Sequence, residues 1–578
     1  MRLHTVRRSA LPRALPRLLG SLLLVAAAAV SSACAAPEAS AAGATAVAWT
    51  PRPLGQVVPA PASVRPGGDP YVLTPATRIR AAGYSGEARK IGEYLAGVLR
   101  PSTGYALPVT GSDGADGIRL RLDPRAGTLG AEGYTLTSGR GSVTITAKRP
   151  AGLFHGVQTL RQLLPAQIER DSRQQGPWRV AGGTITDTPR YAYRGAMLDV
   201  SRHFFSVDEV KRYIDQVAQY KINTFHIHLS DDQGWRIAVD SWPKLATYGG
   251  STEVGGGPGG YYTKAQYQEI VRYAGSRYLE VVPEIDMPGH TNAALASYAE
   301  LNCDGVAPPL YTGTKVGFSS LCAGKDVTYD FIDDVVREVA ALTPGRYFHI
   351  GGDEAHSTSH EDYVAIMTRA QAVVGKYGKT VMGWHQLTGA DPVRGAVAQY
   401  WGYDKTSAAD RQQVVDAAKN GTRLVLSPAD RVYLDMKYTD ETELGLKWAG
   451  LVEVQRSYDW DPGTYLEGAP ESSVLGVEAP IWSETLTDSD DIDVMAFPRL
   501  PGAAELAWSP ASTHDWETYK VRLAGLGERF TAQGIDYYRS PQVPWPASET
   551  GGEQRGQATF LAFSMAFARS SRIGAHLS

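Results

Sequence analysis

Cysteine, net charge and long apolar runs are all scarce in this chain of 578 residues, and each scarcity removes a class of protein. A formal charge of −4 leaves no electrostatic footprint for nucleic acid. The one conspicuous apolar run, residues 18–30, is shorter than a bilayer-spanning helix requires. It follows Arg2, Arg7, Arg8, Arg13 and Arg17 and precedes small residues at 33–36, the order of a secretory leader. The leader is expected to occupy 1–36, with the mature protein released, secreted and without stable membrane association. Ser31-Ser32-Ala33-Cys34 also resembles a poor lipobox, and a lipid on Cys34 is the alternative to release. Of the three cysteines only Cys303 and Cys322 remain after cleavage. In an oxidising compartment an even pair predicts one disulfide, worth about 3 kcal/mol by loop entropy and carrying no chemistry.

Hydrophobic residues at 43% and charged residues at 20% are ordinary for a soluble globular protein, and the length allows two to four domains. Twelve Trp and thirty Tyr stand out more, because flat apolar rings with one polar group suit the faces of sugars.

Residues 37–50 are rich in Ala, Ser and Gly and read as a linker. From 51 to 189 the pattern is that of a small α+β domain. Ile91, Tyr94, Leu95 and Val98 share a helical face, as do Leu153, Phe154, Val157 and Leu160, while 118–122, 134–137 and 143–147 alternate like strands. No acids, histidines or metal ligands converge in this stretch, so its expected role is support. The tail, 546–578, is Gly/Gln/Ser-rich before an apolar patch around Phe560 that is too short to span a membrane, and it is expected to be disordered.

Between them, residues 190–545 alternate strands and helices, the mark of a parallel sheet covered by helices. Strands are expected at 193–200, 224–229, 279–284, 347–351, 380–384, 397–401, 423–426 and 475–482. Ser206 with Glu209 and Thr263 with Gln266 form capping boxes that open two of the helices. Eight such units predict a (β/α)8 TIM barrel, whose active site sits at the C-terminal ends of its strands. The polar residues collect there: Arg202 after the first strand, His226, His228 and Asp231 at the second, Glu284, Asp286 and His290 at the third. Asp353 and Glu354 follow the fourth, Trp384 the fifth, Trp401 the sixth, Tyr433, Asp435 and Trp448 the seventh, and Trp482 and Glu484 the eighth.

The adjacent pair Asp353-Glu354 follows an apolar strand and two glycines. Like charges this close push one pKa up, so that one carboxyl holds a proton while its neighbour stays ionised, as acid catalysis needs. A lone pair of this kind is otherwise read as a helix cap. Acids or Trp at nearly every strand end favour the catalytic reading. His226 and His228 with Asp231 keep open a metal-dependent amidohydrolase or deacetylase, although the later strands supply only His385 as a further ligand. Core or orienting roles are the simpler reading of those histidines. Retaining hydrolysis by two protein carboxylates needs them roughly 5 to 5.5 Å apart across the bond, which neighbours in sequence need not satisfy.

His349-Ile-Gly-Gly-Asp353-Glu354, Arg202, His226-Ile-His-Leu-Ser-Asp231-Asp232-Gln-Gly-Trp235, Pro283-Glu-Ile-Asp286-Met-Pro-Gly-His290 and the Trp series together resemble the family 20 glycoside hydrolases, the bacterial β-N-acetylhexosaminidases. The resemblance runs over about 51–545 and is strongest to secreted streptomycete members. It implies an exo-acting, retaining β-N-acetylhexosaminidase acting on terminal GlcNAc or GalNAc, chitin oligomers among its substrates, with neither cofactor nor metal. The substrate's own acetamido oxygen would be the nucleophile and an oxazolinium the intermediate. Asp353 would orient the acetamido group, Glu354 would act as acid and then base, and Tyr433 would bond the acetamido carbonyl. Trp384, Trp401 and Trp482 would wall the pocket, while Arg202, Asp435 and Glu484 would hold ring hydroxyls. Trp448 would stack on the aglycone side, and Asp231 with His290 would tune the acid. His385-Gln386 departs from the family pattern, which often has acidic residues after the Trp. A sugar-binding protein without activity is the remaining alternative, and the presence of both acids gives it no motive.

Overall fold

Eight short parallel strands pair side to side and close on themselves. In the computed structural model, which describes residues 50–82, 86–112 and 114–547, these are β1 (Tyr193–Asp199), β2 (Thr224–His228), β3 (Glu280–Glu284), β4 (Tyr347–His349), β5 (Thr380–Trp384), β6 (Val397–Tyr400), β7 (Arg423–Leu426) and β8 (Val474–Ile481). Each expected strand is present, its ends shifted by at most two residues. Every residue of β1 and β2 is buried, as strands with helices outside and a filled bore inside require. The leader, nearly all of the linker and the tail beyond 547 lie outside the described residues. No helix among the described residues is long and apolar enough to cross a membrane.

The helices begin where local chemistry starts them. α1 (Val207–Ala218) opens on the complete Ser206/Glu209 capping box and buries Val210, Tyr213, Ile214 and Val217. α2 (Lys264–Ser276) opens on the Thr263/Gln266 box. α3 spans Asp326–Leu342, and α4 (His360–Lys376) and α5 (Ala408–Lys419) are capped by Ser359 and Ser407. Cys303 and Cys322 are joined as a disulfide with a Cα–Cα distance of 4.9 Å, closing the 303–322 loop between β3 and α3.

The 51–189 stretch forms a seven-stranded mixed sheet in the order Ser63–Pro66, Gly183–Asp187, Tyr134–Gly139, Ser142–Ala147, Gly117–Leu122, Ile79–Ala82, Val109–Thr110. The helices Glu87–Thr103 and Pro150–Leu163 pack on it and on each other. Its acids do not gather into a site, yet two of them fasten it to the barrel. Glu132 pairs with the fully buried Arg194 of β1, accepts from Asn223 at 3.0 Å, and lies 3.2 Å from His155. Asp187 accepts from Trp508 Nε1 at 3.0 Å and lies 3.6 Å from the buried Lys221. Burial alone would raise the Glu132 carboxyl, but Arg194 and then His155 outweigh it and hold it down at about 2. The contact between sheet and barrel thus rests on buried charge, and a buried charge left unpaired is costly. Glu132→Ala should lower stability by about 3–5 kcal/mol, because Arg194 stays buried without its carboxylate. Urea unfolding of the variant measures this, and an unchanged midpoint would mean that the pair does not fasten the two layers.

Candidate active site

The backbone leaving β4 turns through Gly351 at φ +63° and Gly352 at φ +103°. A Cβ on Gly351 would stand 1.6 Å from Asp286 Oδ1, so only glycine fits where the turn folds against the β3 loop. Gly352 N donates to the same Asp286 oxygen at 3.1 Å. Asp353 and Glu354 are thereby delivered to the C-terminal mouth of the barrel. Glu354 itself has φ +47° and His290, which faces it, has φ +55°. Two bulky residues in the left-handed region cost on the order of 1–3 kcal/mol each and cluster at sites of function. The pair caps no helix, since Ser359 accepts from Asp362 N at the start of α4.

Asp353 and Glu354 open into a cavity of about 340 Å³. Its polar walls are Arg202, Asp435 and Glu484; its aromatic walls are Trp401, Tyr433, Trp448 and Trp482; Thr314 and Val316 of the disulfide loop and Leu446 complete it. Tyr433 and Trp401 both meet Trp448 edge-on, with centroids 5.9 and 5.8 Å away, and Arg202 lies over Trp482 at 4.8 Å. Four buried polar atoms among these walls have no partner among the described residues: Asp353 Oδ1, Asp435 Oδ2, Trp482 Nε1 and Arg202 Nε. Two acceptors and two donors left open in one small aromatic cavity are what a ligand bearing both hydroxyls and an amide would satisfy. Trp384 stands apart from the other expected wall residues. It is fully buried, packs 5.6 Å behind Trp482 and donates from Nε1 to Glu284 at 2.8 Å, so it backs the pocket wall without lining it.

Behind the cavity, acids and bases alternate. Arg202 Nη2 meets Asp231 at 2.9 Å, and Asp231 holds His290 Nδ1 at 3.1 Å and His228 Nε2 at 2.8 Å. The other nitrogen of His290 reaches Glu354 at 3.4 Å and Asp353 at 3.7 Å. His228 Nδ1 bonds Glu284 at 2.5 Å, and Glu284 also lies 2.9 Å from His349 and 3.1 Å from His226, whose Nδ1 ends on Glu478 at 2.8 Å. Burial opposes the charge on Asp231 and Glu284, but Arg202 and His290 in the first case, and His349 and His228 in the second, hold both well below the usual carboxylate range. Burial likewise disfavours the cation of His290, yet Asp231 and Asp353 hold its pKa well above that of free histidine. Burial raises Asp353 to about 7, His290 opposing and Glu354 adding to the rise. Asp286 is driven well up by burial and Asp353, and Asp435 by burial and Glu484.

His226 and His228 thus serve carboxylates deep in the bore, the orienting place expected for them, and His226, Glu284 and His349 bring ligand atoms within 4.8 Å of one another. Sequence reading gave His349 no role beyond its place in the motif that ends at Glu354, and passed over Thr314 and Val316, which the closed 303–322 loop brings in from far along the chain. A carboxyl raised from an unfolded value near 4 to about 7 loses stability as pH rises between those values. Asp353→Asn should therefore be more stable than the parent at alkaline pH, by up to about 4 kcal/mol. The advantage should grow from about pH 4 to about pH 7 and level off above. Thermal denaturation across pH checks this, and a pH-independent difference would contradict the raised carboxyl.

Residues 191–511 match the model of the glycosyl hydrolase family 20 catalytic domain, and residues 55–188 match domain 2 of the same family. The beta-N-acetylhexosaminidase of Cellulomonas fimi is 42% identical over 481 residues, covering 83% of this chain and 95% of that one. The family 20 beta-N-acetylhexosaminidase structure from Streptomyces coelicolor A3(2) superposes with a TM-score of 0.85 at 73% identity, covering 86% of this chain and 100% of that one. A mutant Streptomyces plicatus beta-hexosaminidase in complex with its product, GlcNAc, gives 0.85 at 72% identity, covering 86% of this chain and 99% of that one. The barrel and its accompanying sheet agree with these likenesses: the chain belongs to glycosyl hydrolase family 20.

Proposed function

We propose that the protein is an exo-acting, retaining β-N-acetylhexosaminidase that removes terminal GlcNAc or GalNAc residues by substrate-assisted catalysis. The observation that carries this is the one-sugar-sized cavity in which Asp353 Oδ1 and Trp482 Nε1 are buried without partners beside Tyr433 and Glu354. A cavity of that volume suits a chain end. The acetamido carbonyl oxygen of the substrate attacks the anomeric carbon as Glu354 protonates the departing glycosidic oxygen, giving an oxazolinium. Glu354 then takes a proton from water, which attacks the same carbon, reopens the ring and restores the β configuration. Asp353 accepts from the acetamido N–H, and the developing positive charge draws its raised carboxyl into the ionised form. Tyr433 donates to the carbonyl oxygen, and Trp482 and Trp401, with Trp384 behind, hold the amide in its attacking pose. Arg202, Asp435 and Glu484 take ring hydroxyls. Trp448, 42% exposed at the mouth, faces the aglycone. His290, positioned by Asp231, stands against both carboxyls and opposes the rise of Asp353.

We assign no cofactor, and the partner is a carbohydrate, with chitin oligomers a natural source. The leader ending near 36, the linker to 50, the support domain to 189, the catalytic barrel to 545 and the tail to 578 describe a protein released outside the cell. Glu354→Gln should lose about 10²- to 10⁴-fold on substrates with poor leaving groups and much less on activated aryl glycosides. Comparing the two losses tests the role, and equal losses would remove Glu354 as the acid. A chelator should leave the parent's rate unchanged, whereas loss of activity on chelation would favour a metal-dependent amidohydrolase built on His226 and His228.

A further inference from the structure

Glu354 stands between two spaces. On one side is the catalytic cavity; on the other is a cleft of about 530 Å³ among the ends of β4, β5 and β6 and the starts of α4 and α5. Glu354 and Trp401 line both, so the indole of Trp401 acts as a partition. Trp401 Nε1 donates to Gln386 at 3.0 Å, which fixes the partition and leaves the amide nitrogen of Gln386 as the atom free to bond a ligand. Asp410 and Gln413 of α5 form the far wall.

His385 gives the cleft its second feature. It lines the cleft yet is only 5% exposed, its ring between Tyr400 at 5.0 Å and Trp401 at 5.5 Å, and its Nδ1 has no partner among the described residues. A buried imidazole nitrogen without a partner is costly unless something reaches it from the cleft. Burial lowers this ring to about 4, so at neutral pH it is uncharged and offers one donor and one acceptor, the same pairing that a hydroxyl offers in return. Gln386 and Gln413 are matched in the same way, and the lining carries two carboxyl residues, Glu354 and Asp410, beside His356 and His360 and neither Lys nor Arg, which disfavours an anionic occupant.

We propose that this cleft is a second site on the leaving-group side, holding a neutral, hydroxyl-rich sugar of the aglycone through His385, Gln386, Asp410 and Gln413. It rests on the hexosaminidase reading, in which the leaving oxygen sits at Glu354, and Glu354 borders the cleft as well as the cavity. Specificity for the second sugar is thereby set by α5 and the β5 loop as well as by the Trp448 platform.

The test compares kcat/KM on di-N-acetylchitobiose and on its β-1,6-linked isomer with kcat/KM on 4-nitrophenyl β-N-acetylglucosaminide, in the full-length protein. Gln413→Ala removes one contact, and Gln413→Trp fills the cleft from an exposed helical position, where folding is not at stake. For at least one disaccharide, the ratio of its kcat/KM to that of the aryl glycoside should fall about 10-fold in Gln413→Ala, and further in Gln413→Trp. Ratios equal to the parent's in both variants would overturn the site. Failure of the hexosaminidase reading would look different, as a parent that does not turn over the aryl acetamido glycoside at all.

Discussion

A carboxylate taken out of water must be protonated or paired, and the mouth and bore of this barrel use both solutions side by side. Glu478, His226, Glu284, His228, Asp231 and His290 alternate acid and base from the middle of the bore to the pair Asp353 and Glu354. The paired acids, Asp231 and Glu284, are held firmly ionised, while Asp286 and Asp435 are raised, and Asp353 is raised although His290 stands 3.7 Å away and opposes it. This partition gives the pocket its chemistry. Asp231 and Glu284 lie behind the wall, Asp353 and Asp435 face the cavity, and Asp286 sits under the turn after β4.

The same constraint explains the backbone. Asp286 can sit against the β4 turn only because Gly351 has no side chain, and His290 and Glu354 approach each other only because both residues adopt left-handed geometry. The disulfide loop adds Thr314 and Val316 to one side of the cavity, and Trp384 holds Trp482 in place from behind. At the other end, Arg194 and Lys221 extend the use of buried charge to the contact between barrel and sheet.

The barrel was legible in the sequence because buried parallel strands read as apolar runs and because Ser206/Glu209 and Thr263/Gln266 mark helix starts by local chemistry alone. The mouth residues were legible because the fold places strand ends together, so Arg202, Asp353, Tyr433 and Glu484 meet despite lying far apart in the chain. Depth was not legible. Trp384 ends β5 and Trp401 follows β6, and because the parallel register pairs Trp384 with Gln399, Trp401 stands two residues nearer the mouth: one is a backing residue bonded to Glu284, the other a wall bonded to Gln386. Partners across the bore, such as His349 with Glu284, and across the sheet–barrel contact, such as Glu132 with Arg194, are set by three-dimensional register, which residue spacing does not encode. The cleft beside His385 was visible only as a departure from the family pattern.

The central claim is that the pocket is shaped to make the substrate's own amide the nucleophile. The most direct measurement is the initial hydrolysis rate on two aryl β-glycosides that differ only in carrying a 2-acetamido or a 2-hydroxyl group, in the presence of a chelator. Turnover confined to the acetamido substrate is the result this account predicts. Equal turnover of both would mean that the protein supplies its own nucleophile and would contradict the roles given to Asp353 and Tyr433.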